Sequence, residues 1–71
     1  MHHTSTPMDD AFERLQRLLL AMRTGDDLVI RDASRLSGLS EHTCRSILEG
    51  LARAGLMARC EGDRFVRVST V

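Results

Sequence analysis

The chain has 71 residues, of which 42% are apolar, enough for one small domain and too few for two. A domain of this size buries only about 60% of the surface that its unfolded chain exposes, so self-association or a ligand is expected to add stability. Basic and acidic residues balance to a formal net charge of +0, which excludes a global positive field that attracts nucleic acid or anionic membrane. Binding to either must come from a local patch.

Every basic residue in the chain is an arginine. The planar guanidinium group binds phosphate oxygens and guanine edges better than the lysine ammonium does. A high-GC codon bias produces the same composition without any function, and that alternative stays open.

The N-terminal residues lack the apolar segment of a signal peptide, and the longest apolar run, residues 18–22, is too short to span a membrane. We therefore expect a cytoplasmic protein without membrane contact. In that reducing compartment Cys44 and Cys60 are expected to be small core residues. Their isolated positions do not fit a zinc site, and a redox switch is the alternative.

Residues 1–8 are polar and show no periodicity, so we predict a flexible N-terminal arm followed by one folded domain over residues 9–71. Asp10, with Glu13 three residues later, has the form of an N-cap with its capping-box partner. Apolar residues follow at helical spacing, which predicts a first helix over residues 10–24.

Three consecutive leucines in this helix, Leu18, Leu19 and Leu20, cover more of its circumference than one small core can bury. We therefore predict a homodimer formed through the first helix. The alternative is that the remainder of the same chain buries all three leucines.

Residues 28–30 are too few for a helix and predict a short strand or an extended connector. A second helix is predicted over residues 31–37, and a third over residues 41–54 with Ser40 as its N-cap. Gly50 lies inside the third helix and costs roughly 1 kcal/mol relative to alanine, so we expect the close approach of another backbone there.

Residues 56–60 and 64–68 are strand-like and flank a glycine turn, which predicts a β-hairpin that closes at Gly62–Asp63. The alternation does not decide whether Phe65 or the valines beside it face the core. The predicted fold class is mainly α with a small β-hairpin.

The most informative pattern lies in residues 32–48. A small residue, Ser34, stands where two helices cross, Gly38 is placed for a left-handed turn, and Leu39 is placed to fill the corner. The pattern resembles the helix-turn-helix of lac-repressor-type regulators. It departs from that pattern at Ser34 and Ser37, where alanine is commoner.

With a helix and an extended segment before this unit and a hairpin after it, residues 10–68 look like a winged helix-turn-helix. The chain is similar to the N-terminal DNA-binding domains of IclR-type and MarR-type regulators. The resemblance implies a small transcriptional regulator that binds double-stranded DNA, with the third helix in the major groove and the hairpin on the backbone. A homodimer then implies palindromic DNA.

The alternative is a winged-helix module that binds a protein partner instead of DNA, because the core pattern is the same in both. The sequence contains no catalytic motif and no phosphate-binding glycine loop, so we expect neither an enzyme nor a cofactor or metal site.

The resemblance assigns DNA contacts to the polar face of the third helix, to its N-terminus, and to arginines of the second helix and the hairpin. Glu41 is equally well explained as an acid that stabilises the helix dipole. His42 is more often a solvated helix residue than a base contact. Because acidic residues dilute the patch, the salt dependence of binding is expected to be shallow, with roughly three to five phosphate contacts per protomer. The candidate DNA-binding residues are Arg35, Ser40, Glu41, His42, Thr43, Arg45, Ser46, Arg59, Arg64 and Arg67.

Overall fold

The computed structural model describes residues 7–68. Within this range three helices and a small antiparallel sheet follow one another along the chain. No helix in the described range is long and apolar enough to cross a membrane. The elements are α1 (Pro7–Ala21), β1 (Asp27–Val29), α2 (Ile30–Ser37), α3 (Glu41–Arg53), β2 (Met57–Arg59) and β3 (Arg64–Arg67).

The first helix lies three residues earlier in the chain than predicted, at both ends. It begins at Pro7, where the fixed φ and the missing N–H suit a first helical position. Asp10 therefore lies inside α1, and its prediction as the N-cap is wrong. The remainder of the predicted arm, residues 1–6, lies outside the described residues. After Ala21 the carboxylate of Asp26 accepts a hydrogen bond from the backbone N–H of Arg23 at 2.8 Å, which holds a turn in place of further helix.

The corner between the second and third helices is confirmed. Gly38 has φ +90°, a left-handed conformation that L-residues with a side chain rarely adopt. The hydroxyl of Ser40 accepts a hydrogen bond from the backbone N–H of Thr43 at 3.1 Å, so the predicted cap of α3 is present. In contrast, the close backbone approach expected at Gly50 is wrong. A Cβ there meets only the guanidinium of Arg53, at 3.8 Å.

The predicted hairpin is confirmed, and it belongs to a larger sheet. β1 pairs antiparallel with β3, so the sheet has the order β1-β3-β2 with the last strand in the centre. Leu28 stands opposite Phe65, and both are buried. The inward face of β3 is thus that of Phe65, whereas Val68 is 44% exposed.

One apolar core joins the helices to the inner face of the sheet. Cys44 is fully buried in it, as predicted. Cys60 is only half-buried and lies beside the hairpin turn, so its prediction as a core residue is wrong. The core residues are Ala11, Leu15, Leu19, Met22, Leu28, Ile30, Ala33, Leu39, Cys44, Leu48, Met57 and Phe65.

Candidate nucleic-acid interface

The outward face of α3 carries short and polar side chains. His42 and Ser46 are exposed, and their spacing of four residues places them on one side of the helix. Glu49 and Arg53 continue the same stripe. Arg53 is missing from the predicted contacts, although the helical spacing from Ser46 was sufficient to include it.

Two ion pairs join this face to the hairpin. The guanidinium of Arg45 donates to both carboxylate oxygens of Asp63, at 2.9 and 3.4 Å. Arg59 donates to the carboxylate of Glu49 at 3.2 Å. We call these four residues the hairpin junction. Because of them, the polar face of α3 and the turn of the hairpin form one continuous surface.

The other predicted cationic contacts on the surface are also paired with acids. Arg64 donates to Asp27 at 3.1 Å, between β3 and β1, and Arg35 lies 3.3 Å from Asp32 within α2. The sequence indicates that acids dilute the patch but does not reveal these pairs, because three of the four join residues at least ten positions apart.

The hydrogen bonds from Arg45 hold the pKa of the Asp63 carboxyl below its ordinary value, because they stabilise the charged form. Asp63 is exposed and Arg45 is partly exposed. Exposed ion pairs contribute little to stability, since water solvates each charge almost as well as its partner does. The arginines of this surface can therefore exchange a carboxylate for a phosphate at low cost.

The hydroxyls at the start of α3 are occupied by the helix cap. Ser40 accepts from the N–H of Thr43 and donates to the hydroxyl of Thr43 at 3.0 Å. Glu41 is exposed in the first turn, where the helix dipole favours an acid. All three residues thus have a structural role beside the DNA contacts predicted for them.

Arg67 differs from the other predicted contacts because it lies in the interior. Only 9% of its surface is exposed, and its guanidinium donates to the backbone carbonyl of Leu19 at 3.0 Å. That carbonyl belongs to the last turn of α1, and it also accepts a hydrogen bond from the backbone N–H of Met22 at 3.2 Å. Arg67 therefore joins β3 to the end of α1. The sequence predicts Arg67 as a phosphate contact because the alternation of residues 64–68 does not show which side of the hairpin faces the core.

The described range, residues 7–68, contains two free thiols, those of Cys44 and Cys60. No three histidine, cysteine or acidic side chains of this range converge as metal ligands do. Burial raises the pKa of the Cys44 thiol, which disfavours the reactive thiolate.

A comparison of the chain with models of protein families, with curated proteins and with solved structures found no match.

Proposed function

We propose that this protein is a small DNA-binding transcriptional regulator of winged helix-turn-helix type, with α3 in the major groove and the hairpin on the DNA backbone. The hairpin junction carries the proposal, because it joins the polar face of α3 and the hairpin into one surface. A protein interface generally has a large apolar or aromatic anchor at its centre. The exposed large apolar side chains of the described residues lie outside α3 and the turn of the hairpin, at Phe12, Leu20, Leu36 and Val68.

In this proposal His42, Arg45 and Ser46 face the base edges, and Arg35, Arg59 and Arg64 bind phosphates. Arg67 is left out because it is buried. Each of the phosphate-binding arginines exchanges an acidic partner within the protein for a phosphate of the DNA. The carboxylates left behind repel the DNA, so affinity is lower than the number of arginines suggests.

Binding is tested first by fluorescence anisotropy with a labelled duplex pool of random sequence at low salt, and then with the DNA upstream of the protein's own gene. With three phosphate-binding arginines per protomer, the logarithm of affinity is expected to fall with the logarithm of salt at a slope of about −3 for each protomer bound. Absence of binding at low salt contradicts the proposal. It favours the protein-interaction alternative, which then predicts co-purification of a protein partner.

Two substitutions at the Arg45–Asp63 pair distinguish whether Arg45 contacts DNA or only holds the hairpin to α3. Arg45→Ala and Asp63→Asn both break the pair between α3 and the hairpin. Arg45→Ala is expected to weaken specific binding by about 5- to 150-fold, as for a lost base contact. Asp63→Asn is expected to tighten binding, because it frees Arg45 and removes an acid from the surface.

Matched controls change the same charges elsewhere. Arg23→Ala removes an exposed arginine far from the hairpin turn. Its neighbour Gly25 donates a backbone hydrogen bond to Arg67, at the end of β3 opposite the turn. Asp10→Asn removes an acid of α1. Both controls are expected to alter affinity less than the variants of the pair. If Asp63→Asn weakens binding as much as Arg45→Ala does, the pair is structural and Arg45 does not contact DNA.

A further inference from the structure

An apolar groove of about 630 Å³ runs between α1 and α3. Leu19, Ile47 and Leu51 are among the residues that line it, and Phe12 and Leu20 lie at its α1 side. Leu20 is 71% exposed and Phe12 is 40% exposed. Of the three leucines, Leu19 is buried and Leu18 is half-buried, whereas Leu20 is not covered by the chain itself. The alternative that one protomer buries all three is therefore wrong.

The exposed stripe of α1 is symmetric about its middle. Phe12, Gln16 and Leu20 follow one another at intervals of four residues on the side that borders the groove, over a length of about 12 Å. If a second α1 lies antiparallel to the first, with a two-fold axis through Gln16, Phe12 meets the partner's Leu20 at both ends. The same side of α1 therefore complements itself.

The charges beside this stripe fit the same arrangement. Glu13 and Arg17 are exposed and form an ion pair within α1, with an N···O distance of 3.3 Å. Around a two-fold axis perpendicular to both helices, the same flank of each helix faces its counterpart. Glu13 then lies near the partner's Arg17, and Arg17 near the partner's Glu13, so opposite charges alternate. The formal net charge of +0 adds no overall repulsion between copies.

A small polar ligand fits this groove less well than a second helix. Every buried side-chain nitrogen and oxygen of the described residues already has a hydrogen-bond partner. The buried Arg67, which also lines the groove, donates to the carbonyl of Leu19. A ligand inside the groove also leaves the rim at Leu20 in water, whereas a helix laid along the groove covers it.

We propose that the groove is the interface of a homodimer, filled by α1 of a second copy that runs antiparallel about a two-fold axis at Gln16. This inference does not depend on DNA binding. The oligomeric state is measured without DNA by sedimentation equilibrium from low to high micromolar concentration. The expected mass at the high end is twice the 7.9 kDa of one chain.

Leu20→Glu is expected to raise the dimer dissociation constant by on the order of 30-fold, as for loss of an interface anchor. Its helix content by circular dichroism is expected to be unchanged, because Leu20 is exposed in the protomer. The control is Leu36→Glu, the same change at an exposed leucine of α2 outside the groove, which is expected to remain a dimer. A dimer that tolerates Leu20→Glu, or a chain that is monomeric at every concentration, overturns the proposal.

Charge reversal tests the antiparallel arrangement. Glu13→Arg alone and Arg17→Glu alone each place like charges together across the two-fold axis, and each is expected to weaken the dimer. The double variant restores opposite charges and is expected to restore the dimer. Failure of the double variant to recover the association contradicts this arrangement.

A disulfide tests the position of the axis. In a Cys60→Ser background, Gln16→Cys places a thiol beside the same residue of the other copy, and mild oxidation is expected to give a covalent dimer. Ala21 is also exposed, and Ala21→Cys, which places a thiol on another side of α1, is expected to cross-link far less. Equal cross-linking of the two variants overturns the assigned axis.

Discussion

The corner between α2 and α3 and the hairpin junction are built on opposite principles. At the corner the hydroxyl of Ser37 donates to the carbonyl of Ala33 at 2.7 Å and accepts from the N–H of Leu39 at 3.0 Å. Ser34 donates to the carbonyl of Leu39 at 2.6 Å. These bonds are neutral and at least partly buried, and no partners are more than five residues apart.

At the hairpin junction the contacts are charged and exposed, and they join residues ten and 18 positions apart. Water competes for exposed charges but does not reach a buried hydroxyl. The corner therefore fixes the angle between two helices. At the junction, Arg45 and Arg59 can exchange their carboxylate partners for other hydrogen-bond acceptors. A rigid frame with an exchangeable surface is what the proposed binding to phosphate requires.

The largest effect on stability is expected at the corner. Ser37→Ala leaves the N–H of Leu39 without its partner in a buried position, which is expected to lower the free energy of unfolding by about 1–3 kcal/mol. Ser46→Ala is the control, because Ser46 is exposed on α3. Urea denaturation at one protein concentration measures both. A loss in Ser37→Ala no larger than about 0.5 kcal/mol, the usual range for surface substitutions, removes the distinction between the two regions.

Two glycines are expected to respond to alanine with opposite signs. Gly38→Ala forces φ +90° on an L-residue and is expected to cost about 1–2 kcal/mol, although its Cβ has only ordinary contacts at 3.8 and 3.9 Å. Gly50→Ala removes a flexible residue from a helix interior and is expected to add about 0.5–1 kcal/mol. Thermal unfolding measures both. Destabilisation by Gly50→Ala indicates a contact that this structure does not contain.

The corner was predictable because its signal is local. Gly38, Leu39 and Ser40 follow one another in the sequence, and each has one role set by its own chemistry. The helix limits were less accurate where turn chemistry decides them, as at Pro7 and at Asp26. Ser34 and Ser37 stand where the resembling regulators more often have alanine, and the structure explains both, because their hydroxyls donate hydrogen bonds within the corner.

The pairing of β1 with β3 and the interior position of Arg67 were not predictable, because both depend on contacts between distant segments. A strand of three residues carries no periodicity that reveals its partner. An arginine in an alternating strand is ordinarily exposed, and its hydrogen bond to the carbonyl of Leu19, 48 positions away, is not visible in the sequence. The ion pairs that Arg45, Arg59 and Arg64 form with distant acids were missed for the same reason.

The smallest expected effect is the titration of Asp63 at the hairpin junction. Its pKa lies below the ordinary 3.8 because Arg45 donates hydrogen bonds to its charged form. Carboxyl carbon shifts measured by NMR are expected to show that pKa rising toward 3.8 in Arg45→Gln. Arg53→Gln, the same change farther along α3, is expected to leave the pKa of Asp63 unchanged.

The sign of the effect on stability follows from the depressed pKa. The stabilising contribution of the pair is fully present above 3.8 and is lost as the pH falls through the lower pKa of the folded state. The advantage of the wild type over Asp63→Asn in free energy of unfolding is therefore expected to shrink as the pH falls below 3.8. An advantage that stays constant there means that the pair does not form in solution. Arg45 then has no acidic partner at Asp63 in the isolated protein, and the contrast between a fixed corner and an exchangeable junction is lost.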